Sequence, residues 1–309
     1  MYFSTPVVLL IFRRPDLTAK VFEQVKLVKP SKLLVVADGP RDELEIELCK
    51  QTRSVVEKID WDCEVLLNYS DTNLGCRKRI SSGLDWVFSQ VEEAIILEDD
   101  CLPSQCFFTF CESLIDKYRH DQRIMAITGN NMQLGKTRTA YTYYFSKYFH
   151  SWGWATWKRA WRYFDVDMST WPEFLENDFL DSYCEDFYER KYWLDIFQRV
   201  YKSQISTSWD YQWLYSIWRQ GGLTIVPNVN LVSNIGFRED GTHTVIDSPF
   251  SNLLAYSISQ IQHPPFVIRN SHADRFTFDY EKGGNAFRSD HTLTARIRRR
   301  VNYFLEAVR

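Results

Sequence analysis

Short β-branched runs alternate with amphipathic stretches through the first 130 residues. Pro6–Phe12 (PVVLLIF) is apolar throughout, the pattern of a strand buried on both faces. Leu17, Val21, Val25 and Val28 then recur at helical spacing, and Pro30 predicts the end of that helix. Lys32–Ala37 (KLLVVA) predicts a second strand, followed by the loop DGPRD and a helix to about Lys58. Cys63–Asn68 (CEVLLN) predicts a third, and the loop SDTNLGCRKR leads into a helix through Phe88. Glu93–Leu97 is the fourth, before a helix through Tyr118, and Ile124–Thr128 (IMAIT) is the fifth. This alternation predicts an α/β fold, a parallel sheet with helices on both faces. Ligands of such sheets gather at the carboxyl ends of the strands. The polar clusters Arg13-Arg14, Asp38, Asn73–Arg79 and Glu98–Asp100 each follow a strand directly.

Beyond residue 140 the alternation stops. Residues 141–220 are crowded with Trp and Tyr (FHSWGWATWKRAWRYF, then SWDYQWLYSIW) and predict a mainly helical second lobe sharing the core of the sheet. The chain ends in HTLTARIRRRVNYFLEAVR, where Leu293, Ile297, Val301, Leu305 and Val308 make one apolar stripe beside Arg296, Arg298, Arg299 and Arg300. Such a helix either rests on an anionic membrane or docks on its own domain with a solvated arginine face.

Composition narrows the class. The 309 residues are 45% hydrophobic and 25% charged, so disorder is excluded. A net charge of −3 offers no field for nucleic acid. Seven cysteines without a framework spacing favour a reducing compartment, and Cys101, Cys106 and Cys111, about 140° apart on a helix, do not make a zinc site. The first residues lack the basic flank of a secretory signal and the length of a membrane span, which makes a cytoplasmic location the expectation. Aromatics at 16% suit sugar rings and nucleobases and equally fill cores.

The candidate chemistry starts at AIILEDD. Three adjacent carboxylates, Glu98, Asp99 and Asp100, repel unless a cation joins them. A hard divalent ion, Mn²⁺ or Mg²⁺, that takes one or two carboxylates and the oxygens of a diphosphate satisfies them. The other reading is a helix cap by Asp100 or Ser104 ahead of a helix beginning near Pro103. No G-x-x-x-x-G-K-[ST] or G-x-G-x-x-G occurs, which disfavours an NTPase and a dinucleotide oxidoreductase. Arg77, Lys78 and Arg79 are candidates to neutralise phosphate, and Asn73 and Gly75 suit a tight turn near it.

On these residues the chain resembles the GT-A fold glycosyltransferases, in particular inverting N-acetylglucosaminyltransferase I and its bacterial relatives. The resemblance spans about residues 5–245. PVVLLIFRRPDLTAKVFEQV is similar to that family's opening strand and uridine loop, with Arg14 at its arginine position. VVADGP resembles the second loop, which implies that Asp38 faces the base or ribose. IILEDDCLPSQCFF resembles the acidic motif, implying Asp100 on the metal, Glu98 by the donor ribose and sugar, and Asp99 among the nucleotide- and donor-binding residues. IMAITGNNMQLGK implies Asn130 and Asn131 in the donor-sugar loop. YFHSWGWATWKRAW implies a donor and acceptor pocket shaped by Trp152, Gly153 and Trp154. SWDYQW implies Asp210 as general base beside Trp209, and GTHT implies His243 near the diphosphate or metal. The base motif here has a single Asp where the family has paired acids.

The resemblance therefore implies a catalytic unit over 1–245, with a nucleotide-binding half (1–130) and a donor/acceptor half (131–245), and an extension over 246–309. It implies transfer from a nucleotide-diphosphate sugar, UDP-linked by expectation, to a hydroxyl of a glycan or lipid-linked acceptor. Membrane contact, if made, would be peripheral, through the basic C-terminal helix. The rivals are a sugar-1-phosphate nucleotidyltransferase of the same fold and a non-catalytic carbohydrate-binding protein.

Overall fold

The computed structural model describes residues 3–205, 207–238, 249–251 and 253–290. Its first half follows the predicted alternation closely. β1 (Val7–Ile11), α1 (Pro15–Val28), β2 (Lys32–Ala37), α2 (Glu43–Ser54), β3 (Glu64–Tyr69), α3 (Cys76–Gln90) and β4 (Glu93–Glu98) succeed one another in order. Pro15 opens α1 at a position where its missing N–H costs nothing, and Lys29 in the left-handed conformation closes it. Strands β3, β2, β1 and β4 lie side by side and parallel.

The apolar run of β1 serves two cores at once. Val7, Leu9 and Ile11 face α1 and the next long helix, α4 (Gln105–Tyr118), while Val8 and Leu10 face α3 and the aromatic lobe. All five are buried, each contributing about 1.5–3 kcal/mol against exposure. That is why an unbroken apolar string, rather than an alternating one, marks a strand with helices on both faces.

The second half is mixed. A short strand β5 (Cys101–Pro103) intervenes before α4, and β6 (Ile124–Thr128), β7 (Tyr143–Ser146), β8 (Trp154–Trp157), β9 (Leu223–Pro227) and β10 (Val232–Asn234) follow. The main sheet has eight strands in the order β3-β2-β1-β4-β8-β6-β9-β7. β8 enters antiparallel between β4 and β6, and β7 pairs antiparallel with β9. The sheet is therefore mostly, not wholly, parallel. WATW and YYFS were assigned to the helical lobe because Trp and Tyr fit either element and strands this short show no period.

The lobe itself is helical: α5 (Lys158–Trp161), α6 (Trp171–Glu176), α7 (Phe179–Tyr183), α8 (Phe187–Tyr201) and α9 (Asp210–Trp218). Trp154, Trp171, Trp193, Trp213 and Trp218 are all buried there, so most of the aromatic surplus fills the core. After residue 249 the chain returns along the sheet edge. Thr142 N–H donates to Gln262 O (3.0 Å) and Asn270 N–H to Phe145 O (2.8 Å). α10 (Ser271–Phe276) and α11 (Gly284–Asp290) then dock on the lobe, where Ser146 Oγ donates to buried Asp274 (2.5 Å) and Arg288 pairs with Asp186 (2.9 Å). The stripe from Leu293 to Val308 lies outside the described residues.

This docking buries His150 against Glu281, whose carboxylate lies 3.8 Å from Nδ1. Burial drives the imidazole down to about 4, outweighing the attraction of Glu281, while Lys282 adds to the depression. Between pH about 4 and the ordinary value of 6.5 the unfolded chain therefore holds a proton that the folded one refuses, so stability rises with pH across that window. We expect His150→Gln to flatten this limb by up to one proton, read from urea denaturation between pH 4 and 7. Asp274, lifted by burial to about 6, acts with the opposite sign in both proteins and cancels in the comparison.

Candidate functional site

The polar ends of β1, β2 and β4 meet on one side of the sheet. Ile96 and Leu97 carry Glu98 out of the core, and Asp99 and Asp100 form the turn into β5. β5 pairs with β10, so the turn is clamped on both sides: Ile235 N–H donates to Asp100 O (2.9 Å). α4 begins later, at Gln105, with Ser104 as an N-cap that makes no side-chain cap. Capping is thus not the use of these acids.

Their positive partner within the chain is Arg14, at the end of β1. Its Nε donates to Asp99 Oδ2 (3.2 Å), and Nη2 reaches both Asp99 Oδ1 and Asp100 Oδ2, the latter at 2.9 Å. Burial works against this guanidinium, but Asp99 and Asp100 outweigh it and hold its pKa above the usual value. Burial lifts Asp99 to about 6 despite Arg14, and it lifts Glu98, with help from Asp100 and Asp99, to about 8. One guanidinium therefore does not fully compensate three acids.

Asp38, at the end of β2, is a latch. It accepts from the backbone N–H groups of Gly39 (2.9 Å), Leu74 (2.9 Å) and Gly75 (3.1 Å), and from Asn73 Nδ2 (3.1 Å). Asn73 also donates to Gly39 O (2.9 Å), so both candidates hold the loop before α3. Gly75, at φ +75°, turns the chain so that α3, 15 residues long, starts without a side-chain cap. Its free N–H groups and dipole make the strand ends receptive to an anion.

Cys76, first in α3, reports on what surrounds this point. Burial pushes its thiol up, and Glu98, Asp210, Asp38 and Asp100 push it further. These four carboxylates come from three segments, the end of β2, the turn after β4 and the start of α9. Asp210, first in α9, is partly exposed and accepts from Ser208 Oγ. Its charge adds, as the smallest influence, to those that raise Glu98.

The remaining candidates divide. Trp152 is part-exposed and meets Phe237 edge-on at 5.6 Å. Gly153 takes φ +63°, and a Cβ there would approach Val232 Cγ2 to 2.8 Å, so the residue holds the backbone of β8 against β10. Trp154 and Trp209 stack at 5.5 Å and are buried, part of the core rather than a face for a sugar. Asn131 is spent on Pro227 O (2.6 Å) and Gln133 N–H (2.8 Å). Asn130 accepts from Thr128 Oγ1 (2.7 Å), but its buried Nδ2 has no partner among the described residues. Arg77 donates to Val166 O (2.5 Å), tying α3 to the lobe; Lys78 is exposed. Arg79 is buried and donates to Ala37 O (3.1 Å), a structural duty. His243 lies outside the described residues.

Sequence reasoning missed the segment Asn234–Phe237. Gly236 presses so closely on Asp100 that a Cβ would collide with its carboxylate, and Asn234 Oδ1 accepts from Gly236 N–H (2.8 Å). The glycine of NIGF was the available signal. Among the described residues, no three His, Cys, Asp or Glu side chains are placed to share a metal ion. Asp100 and Glu98 are the hard oxygen donors that a divalent ion takes one or two at a time, and in this structure Asp100 Oδ2 accepts from Arg14 Nη2 (2.9 Å).

No protein-family model and no curated protein matches this sequence. Among solved structures the chain is similar to galactosyltransferase LgtC in complex with donor and acceptor sugar analogs, at 12% identity over 71% of this chain and 73% of that one, with a TM-score of 0.39. It is similar to CMP:2-keto-3-deoxy-manno-octonic acid synthetase complexed with CTP, at 11% identity over 74% and 92% of the two chains and a TM-score of 0.38. A third is 4-diphosphocytidyl-2C-methyl-D-erythritol synthase from Anaerococcus prevotii, at 12% identity, 56% and 77% coverage and a TM-score of 0.32. What the fold and site define by themselves is an α/β protein, with a mostly parallel sheet and acidic side chains gathered at the carboxyl ends of its strands. No helix among the described residues is long and apolar enough to cross a membrane.

Proposed function

We propose that the protein is a GT-A type glycosyltransferase that moves a sugar from a nucleotide diphosphate, UDP in the first instance, to an acceptor hydroxyl with inversion. The observation that carries this reading is the gathering of acids at the strand ends: Asp38 after β2 holds Gly75 at the start of α3 (3.1 Å), and Glu98, Asp99 and Asp100 end β4 with Arg14 bridging the last two. An anion-receptive helix end beside carboxylates suits a diphosphate held with a cation. A separate, partly exposed carboxylate on a different element suits the opposite face of the reacting carbon.

The chain's residues divide the work. Asp210 takes the proton from the acceptor hydroxyl as its oxygen bonds to the anomeric carbon. The bond from that carbon to the diphosphate oxygen breaks, and the nucleoside diphosphate leaves. Arg14 and the N–H groups of α3 stabilise the charge arriving on the leaving group. A divalent cation at Asp100 and Glu98 would screen that same charge. Asn130, with its unpartnered amide, and Trp152, with its part-exposed ring, are the proposed contacts for the sugar. The acceptor class is a glycan or lipid-linked saccharide. A nucleotidyltransferase of this fold needs a glycine-rich loop after the first strand, and here Phe12-Arg13-Arg14 runs straight into Pro15 of α1.

A panel of nucleotide sugars, scored by thermal shift with and without Mn²⁺, tests the reading, because a donor stabilises only the folded chain. We expect a metal-dependent shift with one diphosphate sugar and its loss in Asp100→Asn. A shift that survives Asp100→Asn undiminished would show that the cation is held elsewhere.

A further inference from the structure

The lobe contains a recess at the end of α9 opposite Asp210. It is a cavity of about 430 Å³ between α6, α7 and the end of α9. Five rings shape it: Phe174, Phe179, Tyr183, Tyr215 and Trp218. Phe179 leaves 49% of its surface open here, touching Phe174 edge-on at 5.5 Å. Tyr183 and Trp218 lie 4.8 Å apart with their planes 31° askew and make the inner wall.

The rim is polar. Glu173, Thr170, Arg219 and Gln220 all line it. Arg219 is fixed in place, donating to Thr170 Oγ1 (2.9 Å) and to Tyr163 O, while its buried Nε finds no partner among the described residues. A carboxylate, a guanidinium, an amide and a hydroxyl around aromatic walls match a ring with apolar C–H faces and hydroxyls at its edge. An alkyl chain would leave the rim groups unsatisfied, and a nucleobase alone would not use so many. The volume is within the range of small-ligand sites.

We propose that this cavity is a second saccharide-binding site, which takes a sugar ring of the acceptor glycan remote from its reacting end. As an acceptor subsite it rests on the glycosyltransferase reading. α9 sets the spacing: Asp210 begins the helix and Trp218 ends it, about 12 Å along the axis. A glycan reaching from one to the other spans several sugar units, so the site favours long acceptors over short ones.

The test pairs binding with turnover. Chitotetraose, maltotetraose and cellotetraose are titrated against the full chain, with tryptophan fluorescence as readout, since Trp218 lines the cavity. We expect one of the three to bind, and Phe179→Ala to weaken it about 10-fold. Phe179 is half-open, so its loss should leave the fold intact; Glu173→Gln, an exposed change, provides a second variant with a smaller loss. In turnover, Phe179→Ala should raise KM for a tetrasaccharide acceptor about 10-fold while KM for a monosaccharide glycoside and for the donor stays put. Absence of binding by all three, binding indifferent to both variants, or binding of decanol in their place would overturn the proposal. Saccharide binding sensitive to Phe179→Ala, in a protein that transfers no sugar from any donor, would instead remove the glycosyltransferase reading and leave the saccharide site standing.

Discussion

Asp210→Asn is expected to cut turnover by about 10²-fold or more while the affinity for the nucleotide sugar stays within about twofold. The asymmetry follows from placement. Asp210 belongs to α9, whereas the residues proposed to hold the donor come from β1, β4 and α3. The change from carboxylate to amide preserves shape, so the bond with Ser208 can be retained by a rotated side chain. What is lost is a proton acceptor in the transition state. Quenched-flow measurement of a single turnover, with donor affinity taken separately by calorimetry, distinguishes this from a donor defect. A turnover equal to wild type would place the base on another segment.

Arg14→Met is expected to lower folding stability by about 3–5 kcal/mol at pH 7.5 and to abolish donor binding. The guanidinium bridges Asp99 and Asp100, all three side chains being less than one-fifth exposed (18%, 5% and 13%). Removing it leaves buried like charges without a counter-ion. Asp99 already holds its proton up to about 6 with Arg14 present, and higher without it. A group whose folded pKa lies above its unfolded one stabilises most at low pH. The deficit of the variant should therefore shrink as pH falls from 7.5 towards 5. Guanidinium denaturation at the two values checks this. A deficit independent of pH would mean that packing of the arginine stem, not charge, is what the substitution removes.

The first half of the fold was legible because β1, β2 and most of β4 are buried on both faces and its helices carry a stripe. Val7–Ile11 and Lys32–Ala37 are strings that no helix of that length would hold, and the glycine and proline punctuation is local. The acidic turn could be read for the same reason, since three carboxylates after an apolar run conflict with local energetics and demand a distant explanation. The duty of Asp38 could not be read. Its bonds go to residues 73–75, and nothing near position 38 shows that they arrive there. Arg77 was legible only as a charge; its carbonyl partner is Val166, 89 positions away. The aromatic residues were the hardest. Trp152, Trp154 and Trp209 look alike in sequence, yet one is part-exposed and two are buried, a difference made by helices that pack over them from the lobe.

Composition and periodicity alone dictated a sheet with helices on both faces and a set of polar clusters at one edge, because the signals for both lie within a few residues of each other. Tertiary structure decided that Arg14 bridges two of the acids, that β8 inserts antiparallel beside β4, and that Asp38 latches the loop before α3. Those outcomes depend on loop closure over long separations and on the cost of burying charge. Neither quantity is written in any short window of the chain.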